Sequence, residues 1–193
     1  MKKIILASAS PRRKALLKQI GLDFEIVVSN FKEIIDNNLK PHDQAQKFSL
    51  GKAKDVAQNH KDAIIIAADT FVVFKNEILG KPQTAENAKK MLKTLSGKVH
   101  SVITGFTIFD TKTGRIVTKS SETKVYIKKL TEREIDGYIR TGEPLDKAGA
   151  YAAQELGGIF VKKIDGDFFN VVGLPIFALA QELKKFGVNI LKR

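Results

Sequence analysis

Ala63-Ile64-Ile65-Ile66-Ala67-Ala68-Asp69-Thr70-Phe71-Val72-Val73-Phe74 reads as one long strand. The run shows little inside–outside alternation, so both faces are expected to be covered, as in the middle of a layered α/β sheet. Asp69 interrupts it, and a carboxylate in such surroundings is costly unless it is paired or holds a metal. The polar pair Lys75-Asn76 then turns the chain into a short return at 77–79.

Outward from this strand, apolar residues at 3–8 make a short buried strand. An amphipathic helix follows at 11–20, with Ala15, Leu16, Leu17 and Ile20 inward. A second strand is expected at 24–28 and a helix at about 41–59. Beyond the central strand come a helix at 84–95, capped from Thr84 or Asn87, and two long strands at 99–110 and 115–128 joined by a polar turn. Thr131 and Glu134 make a capping box for a helix at 131–140. A strand at 158–164 and a helix from Pro175, burying Ile176, Leu179, Ala180 and Leu183, complete the pattern. Strands alternating with helices, plus a long hairpin, predict an α/β fold with a mixed sheet. No repeat or linker divides it, so residues 1–193 are expected to form a single domain.

A chain of 193 residues can bury a core without staples, and the absence of cysteine excludes disulfides, thiolate zinc sites and cysteine nucleophiles. Hydrophobic residues at 43% and charged residues at 28% are those of a globular protein. No apolar run approaches the ~18 residues of a spanning helix. The apolar stretch after Met1-Lys2-Lys3 is too short for a signal peptide, since Pro11-Arg12-Arg13 follows at once. A cytoplasmic location and no membrane partner are expected. The net charge of +12 points to an anionic partner. A basic nucleic-acid-binding module is one reading of that charge, but aromatic residues make up only 8% and are not interleaved with basic ones, so no stable nucleic-acid partner is expected. His42, His60 and His100 are dispersed and read as surface or turn residues, without zinc spacing. None of the Gly-Lys pairs at 51–52, 80–81 and 97–98 is followed by Ser or Thr, which excludes a Walker A loop.

The chemistry gathers in a few places. In Ser8-Ala9-Ser10-Pro11-Arg12-Arg13, Ser10 can cap a helix that Pro11 opens, yet two arginines occupy the first turn, where the helix dipole disfavours cations. A phosphate bound there would complete the arrangement. On that reading, Arg13→Ala would leave the free protein as stable as before or slightly more so. Lys52 shares a helix face with Phe48 and Val56, and Gly51 beside it implies close approach of another group. Asp69, with Glu33 as companion, makes a pair of carboxylates among cations. That set suits a Mg²⁺-assisted phosphate site, and the cations are expected to keep Asp69 ionised and weakly basic.

The segments Leu6-Ala7-Ser8-Ala9-Ser10-Pro11-Arg12-Arg13, Lys52-Ala53, Ala68-Asp69-Thr70 and Ile78-Leu79-Gly80-Lys81-Pro82 resemble those of the Maf family of nucleoside triphosphate pyrophosphatases. The resemblance continues through Leu95-Ser96-Gly97, His100, the stretch from Gly142 to Tyr151, and Asn170-Val171-Val172-Gly173-Leu174-Pro175, in order and spacing over nearly the whole chain.

The resemblance implies a long, bent mixed sheet with helices forming two lobes around a nucleotide cleft. It also implies cleavage between the α- and β-phosphates of a nucleoside triphosphate with a divalent metal, Mg²⁺ or Mn²⁺. By position, Asp69 matches the family's catalytic acidic residue; with Glu33 it is the expected metal ligand. Ser8, Arg12, Arg13, Lys52 and Lys81 match phosphate-binding positions. Arg12, Thr70 and Gln154 match positions of base selection in the subgroup acting on dTTP and UTP. The chain departs from the pattern at Ala152-Ala153, usually Gly-Ile, at Glu155, usually glycine, and at Phe71, usually a smaller β-branched residue. These departures flank Thr70 and Gln154 and bear on base choice, so broad-specificity and 7-methyl-GTP pyrophosphatases stand as alternatives on the same site, and a homodimer stays open.

Overall fold

In the computed structural model, which describes residues 2–191, strand β1 (Lys3–Leu6) lies parallel to both β2 (Glu25–Ile26) and β3 (Ala63–Phe74). Ile5 stands opposite Glu25 on one side and Ile65 on the other. Parallel neighbours need a crossover, and helix α1 (Pro11–Gln19) supplies it between β1 and β2. Helix α2 (Pro41–Ala57) lies between β2 and β3 in the chain. β3 turns through Lys75 and Asn76, both at positive φ, into the antiparallel β4 (Glu77–Leu79). Then follow α3 (Ala85–Leu95), β5 (Val99–Asp110), β6 (Ile116–Ile127), α4 (Glu132–Arg140), three short 3-10 turns, β7 (Val161–Asp165), α5 (Phe168–Val172) and α6 (Ile176–Lys185). The sheet order is β2-β1-β3-β5-β6-β7, with β4 paired to β3 and β7 antiparallel to β6. The sheet is mixed, as expected.

The chain resolves into two compact units. The first comprises residues through Thr70, Thr104–Ser121 and the segment from Gly173; the second comprises Phe71–Ile103 and Glu122–Val172. β3, β5 and β6 each contribute residues to both units. The first unit's core sets Ile5, Ile65 and Ala67 of the parallel strands against Ala53 and Val56 of α2. Gly105 on β5 permits this approach, since a Cβ there would sit 2.3 Å from the Ala45 carbonyl. The second unit buries Leu92 and Leu95 of α3 with Val102, Val125, Ile135, Tyr138 and Phe160. The Thr131–Glu134 capping box on α4 is formed on both sides, and Thr84 caps α3 by accepting from the Asn87 amide.

Four expectations need correction. On α1 the buried side chains are Leu16, Leu17 and Arg13, whereas Ala15 is exposed and Ile20 half-buried. On α6, Leu179 and Leu183 are buried together with Glu182, while Ile176 and Ala180 are half-buried. The strand expected from residue 158 begins at Val161, because residues 156–160 form a 3-10 turn. A Cβ at Gly157 would lie 2.5 Å from Tyr138 Oη, and one at Gly158 2.6 Å from the Ala153 carbonyl oxygen, so those glycines serve close approach rather than a strand. His100 is no surface residue: it is 3% exposed on β5, with Nε2 in a 2.8 Å hydrogen bond with Tyr151 Oη, and burial lowers its pKa to about 4.

Candidate active site

The parallel pairing of β1 and β3 sets the end of β1 beside the C-terminal half of β3. Ala7 donates from its amide to the Ile66 carbonyl, and Ser8 follows directly, so Ser8 and the N-terminus of α1 come to lie near Asp69 and Thr70. Seven successive β3 residues through Asp69 are buried, and Thr70 is half-buried. Ser10 caps α1, its Oγ accepting from the Arg13 amide, and Ser8 Oγ accepts from the Ser10 amide (3.2 Å).

Arg13, 9% exposed, then turns its guanidinium back across this corner. Nε donates to the Gly173 carbonyl (2.9 Å), Nη1 to Ser8 Oγ (3.1 Å) and Nη2 to Thr70 Oγ1 (3.1 Å). Thr70 Oγ1 also shares a 3.0 Å hydrogen bond with Thr104 Oγ1. Burial lowers the Arg13 pKa, Asp69 opposes that shift, and the charge of Arg12 adds to it. Arg13 is therefore held by the protein's own oxygens, which corrects the expectation that its removal would spare the free protein. Two of its five N–H groups remain for a ligand. Arg12 is half-exposed on the same turn.

Lys52 reaches this corner from α2. The flanking Phe48 and Val56 are buried, while the Lys52 ammonium meets two carboxylates: it hydrogen-bonds Asp69 Oδ1 and lies 2.5 Å from Glu33 Oε1. Asp69 is 7% exposed, and burial pushes its pKa up more strongly than Lys52 and Arg13 pull it down. The expectation of a weakly basic Asp69 is thereby corrected. Desolvation outweighs the neighbouring cations and makes this carboxylate a better proton acceptor than an exposed one.

Asp69 and Glu33 converge on one cation position and offer only oxygen. Among the described residues no cluster of three or more His, Cys, Asp or Glu could hold a metal. This donor set fits a hard divalent ion that takes one or two carboxylates and completes its shell with phosphates and water.

Lys81 and Gln154 belong to the second unit and are exposed. The Lys81 turn is tied to the motif that follows Gly142: the Gly149 amide donates to Gly80 O (3.2 Å) and the Gln83 amide to Leu145 O (3.2 Å). Gln154 Nε2 donates to Glu155 Oε1 (3.0 Å), and the other Glu155 oxygen lies 3.5 Å from Lys147 Nζ. Gly173 and Thr104, which position Arg13 and Thr70, carry little sign of these roles in the sequence. The only trace of Gly173's part was its place before Leu174-Pro175; its φ of 124° suits glycine.

A family model described as Maf-like protein matches residues 3–186. The chain is 50% identical over 191 residues to a Methanosarcina barkeri protein named dTTP/UTP pyrophosphatase, covering 98% of this chain and 97% of that one. Proteins of the same name from Acetivibrio thermocellus (50% over 200 residues, 100% of both chains) and Bacillus cereus (50% over 190 residues, 98% of this chain and 93% of that one) are equally similar.

Proposed function

The chain belongs to the family of Maf-like proteins, and on that footing we propose that it is a nucleoside triphosphate pyrophosphatase that hydrolyses dTTP and UTP to the monophosphate and pyrophosphate. The observation that carries this reading is the corner where Lys52 meets the buried Asp69 and the exposed Glu33 beside the arginine-bearing N-terminus of α1. A triphosphate brings charge that arginines and a lysine neutralise. Attack at the α-phosphorus adds charge to oxygens that the same groups stabilise.

Asp69 takes the part of proton acceptor for the attacking water, and its raised pKa suits it to that part. Lys52 orients the Asp69 carboxylate through its hydrogen bond and is assigned to a phosphate oxygen of the substrate. Ser8, Arg12, Arg13 and Lys81 are assigned to phosphate, and Arg12, Thr70 and Gln154 to base selection. Asp69 and Glu33 would hold Mg²⁺ or Mn²⁺, which when bound polarises the phosphoryl oxygens. Residues 1–193 are taken to work as one domain, since three strands feed both units.

The test is a panel of common and modified triphosphates with Mg²⁺ or Mn²⁺, scored for monophosphate and pyrophosphate. Preferred cleavage of dTTP and UTP supports the reading. A preference for purine or 7-methyl-GTP substrates overturns the base assignment alone. No turnover, with salt-sensitive nucleic-acid binding instead, overturns the reading altogether.

A further inference from the structure

We infer that residues 29–36 form a strap that α2 holds in place so that Glu33 reaches Lys52, with Phe31 seated on Gly51 as its latch. The inference rests on the proposed reaction and names positioning residues for it. Glu33 has a side chain 49% exposed, and an ion pair so open to water is too weak to order a loop by itself. What places Glu33 must therefore lie elsewhere in the strap.

Three anchors run antiparallel along α2. At its C-terminal end, the Asp55 carboxylate accepts from Ser29 Oγ (2.9 Å) and from the Asn30 amide (2.8 Å). In the middle, the Phe31 ring lies over Gly51 and meets Phe48 edge-on, with centroids 6.0 Å apart. Nearer the N-terminus, Gln44 Oε1 accepts from the Asp36 amide (3.0 Å). Glu33 falls between the second and third anchors, one helix position from Gly51 at Lys52. The strap's other large apolar side chains do not hold it down, for Ile34 is 72% exposed and Ile35 50%. Phe31 is its apolar anchor.

Glycine is what admits the ring. A Cβ at residue 51 would lie 2.3 to 2.6 Å from three Phe31 ring carbons, closer than any real contact. Gly51 stands inside a helix, where alanine is otherwise the better residue, so the position gives up helix propensity for this seat. Gly51→Ala should fold, because alanine favours the helix. Phe31 and Gly51 also line an open cavity of about 480 Å³, where a displaced ring has room.

The experiment joins hydrogen exchange with kinetics on the full chain. In Gly51→Ala, the amides of Asn30, Phe31 and Asp36 should exchange at least ~10-fold faster, while interior α2 amides keep their wild-type rates. Its kcat/KM on dTTP should fall about 10-fold, within the roughly 10–100-fold expected for Glu33→Gln. Gly51→Ala added to Glu33→Gln should cost less than about twofold more, because both act through one carboxylate. Gly51→Ala/Phe31→Leu, which returns the added volume, should recover both protection and turnover. Unchanged strap exchange overturns the latch. Faster exchange with wild-type turnover, or losses that multiply in the Glu33→Gln background, overturns its role in placing Glu33. If the wild type cleaves no triphosphate, the reaction has failed, and the exchange data alone decide whether Phe31 latches the strap.

Discussion

Arg12 and Arg13 are adjacent, share one helical turn and carry the same charge, yet their replacement by alanine should give different results. Arg13 is buried and makes three hydrogen bonds, each of which, with a charged donor, contributes about 1.5–3 kcal/mol. Truncation also releases a guanidinium that is poorly solvated, and each orphaned acceptor keeps another donor. Ser8 Oγ retains the Ser10 amide, Thr70 Oγ1 retains Thr104, and the Gly173 carbonyl retains Thr70 Oγ1 at 3.4 Å. The net loss should therefore fall near 2–4 kcal/mol rather than at the sum of the bonds. For a chain of this size that lowers Tm by roughly 5–15 °C. Arg12 is half-exposed in a turn where the dipole disfavours it, so Arg12→Ala should move stability by no more than about 0.5 kcal/mol, or ~2 °C. Both variants should lose at least ~10-fold in kcat/KM if both arginines meet phosphate. Calorimetry of the ligand-free variants beside steady-state kinetics reads all four numbers. Equal Tm losses for the two, or an Arg13→Ala protein that melts with the wild type, would refute the reasoning.

Asp69→Asn should abolish most turnover. Because burial raises the folded pKa of Asp69, ionising it weakens the fold as pH rises through that value, so at neutral pH the Asn variant should melt no lower than the wild type. For the same reason, the acid limb of the wild-type kcat/KM profile should lie above the ordinary aspartate value of 3.8; a limb at or below it would speak against Asp69 as the proton acceptor. His100 has its pKa depressed to about 4 from 6.5, so the folded protein binds fewer protons than the unfolded chain between those values and loses stability as pH falls through them. The loss should approach about 3 kcal/mol by pH 4, and His100→Gln should remove most of that slope in denaturant titrations at stepped pH. Glu155 holds one end of the Gln154 amide, so Glu155→Ala should narrow the preference for UTP over CTP by severalfold while changing the UTP rate little; an unchanged ratio in competition assays would rule that out. Chelation should silence the wild type, with Mg²⁺ or Mn²⁺ restoring pyrophosphate release.

Much of this architecture is written in local pattern. The apolar, β-branched run at 63–74 reads as a buried strand and is one, and Gly51 announced a close neighbour that proved to be Phe31. Lys52 on an apolar stripe and Asp69 in an apolar strand each needed a partner, and they are each other's. What local pattern could not supply is long-range compensation. The helix dipole by itself points Arg13 toward a ligand, because nothing near it in sequence says that the carbonyl of Gly173 accepts from it. Burial misled similarly at Asp69, where the cations were visible in the sequence but the depth that outweighs them was not. His100 looked unremarkable because its partner, Tyr151, lies on a distant turn.

The bond from Arg13 to Gly173 spans 160 residues and closes the first unit with a segment made only after the whole second unit. At about 5–20 residues per second, roughly 8–32 s separate the synthesis of the arginine from that of its acceptor. From the moment Asp69 is added until Gly173 follows, the nascent chain carries Asp69, Lys52 and both arginines without the carbonyl that helps hold one of them. A chain stopped before residue 173 would bear every residue assigned to the reaction and still lack the assembled corner. Catalytic competence in this fold thus waits on the segment from Gly173, and termination before it should yield inactive protein rather than a loosely specific hydrolase.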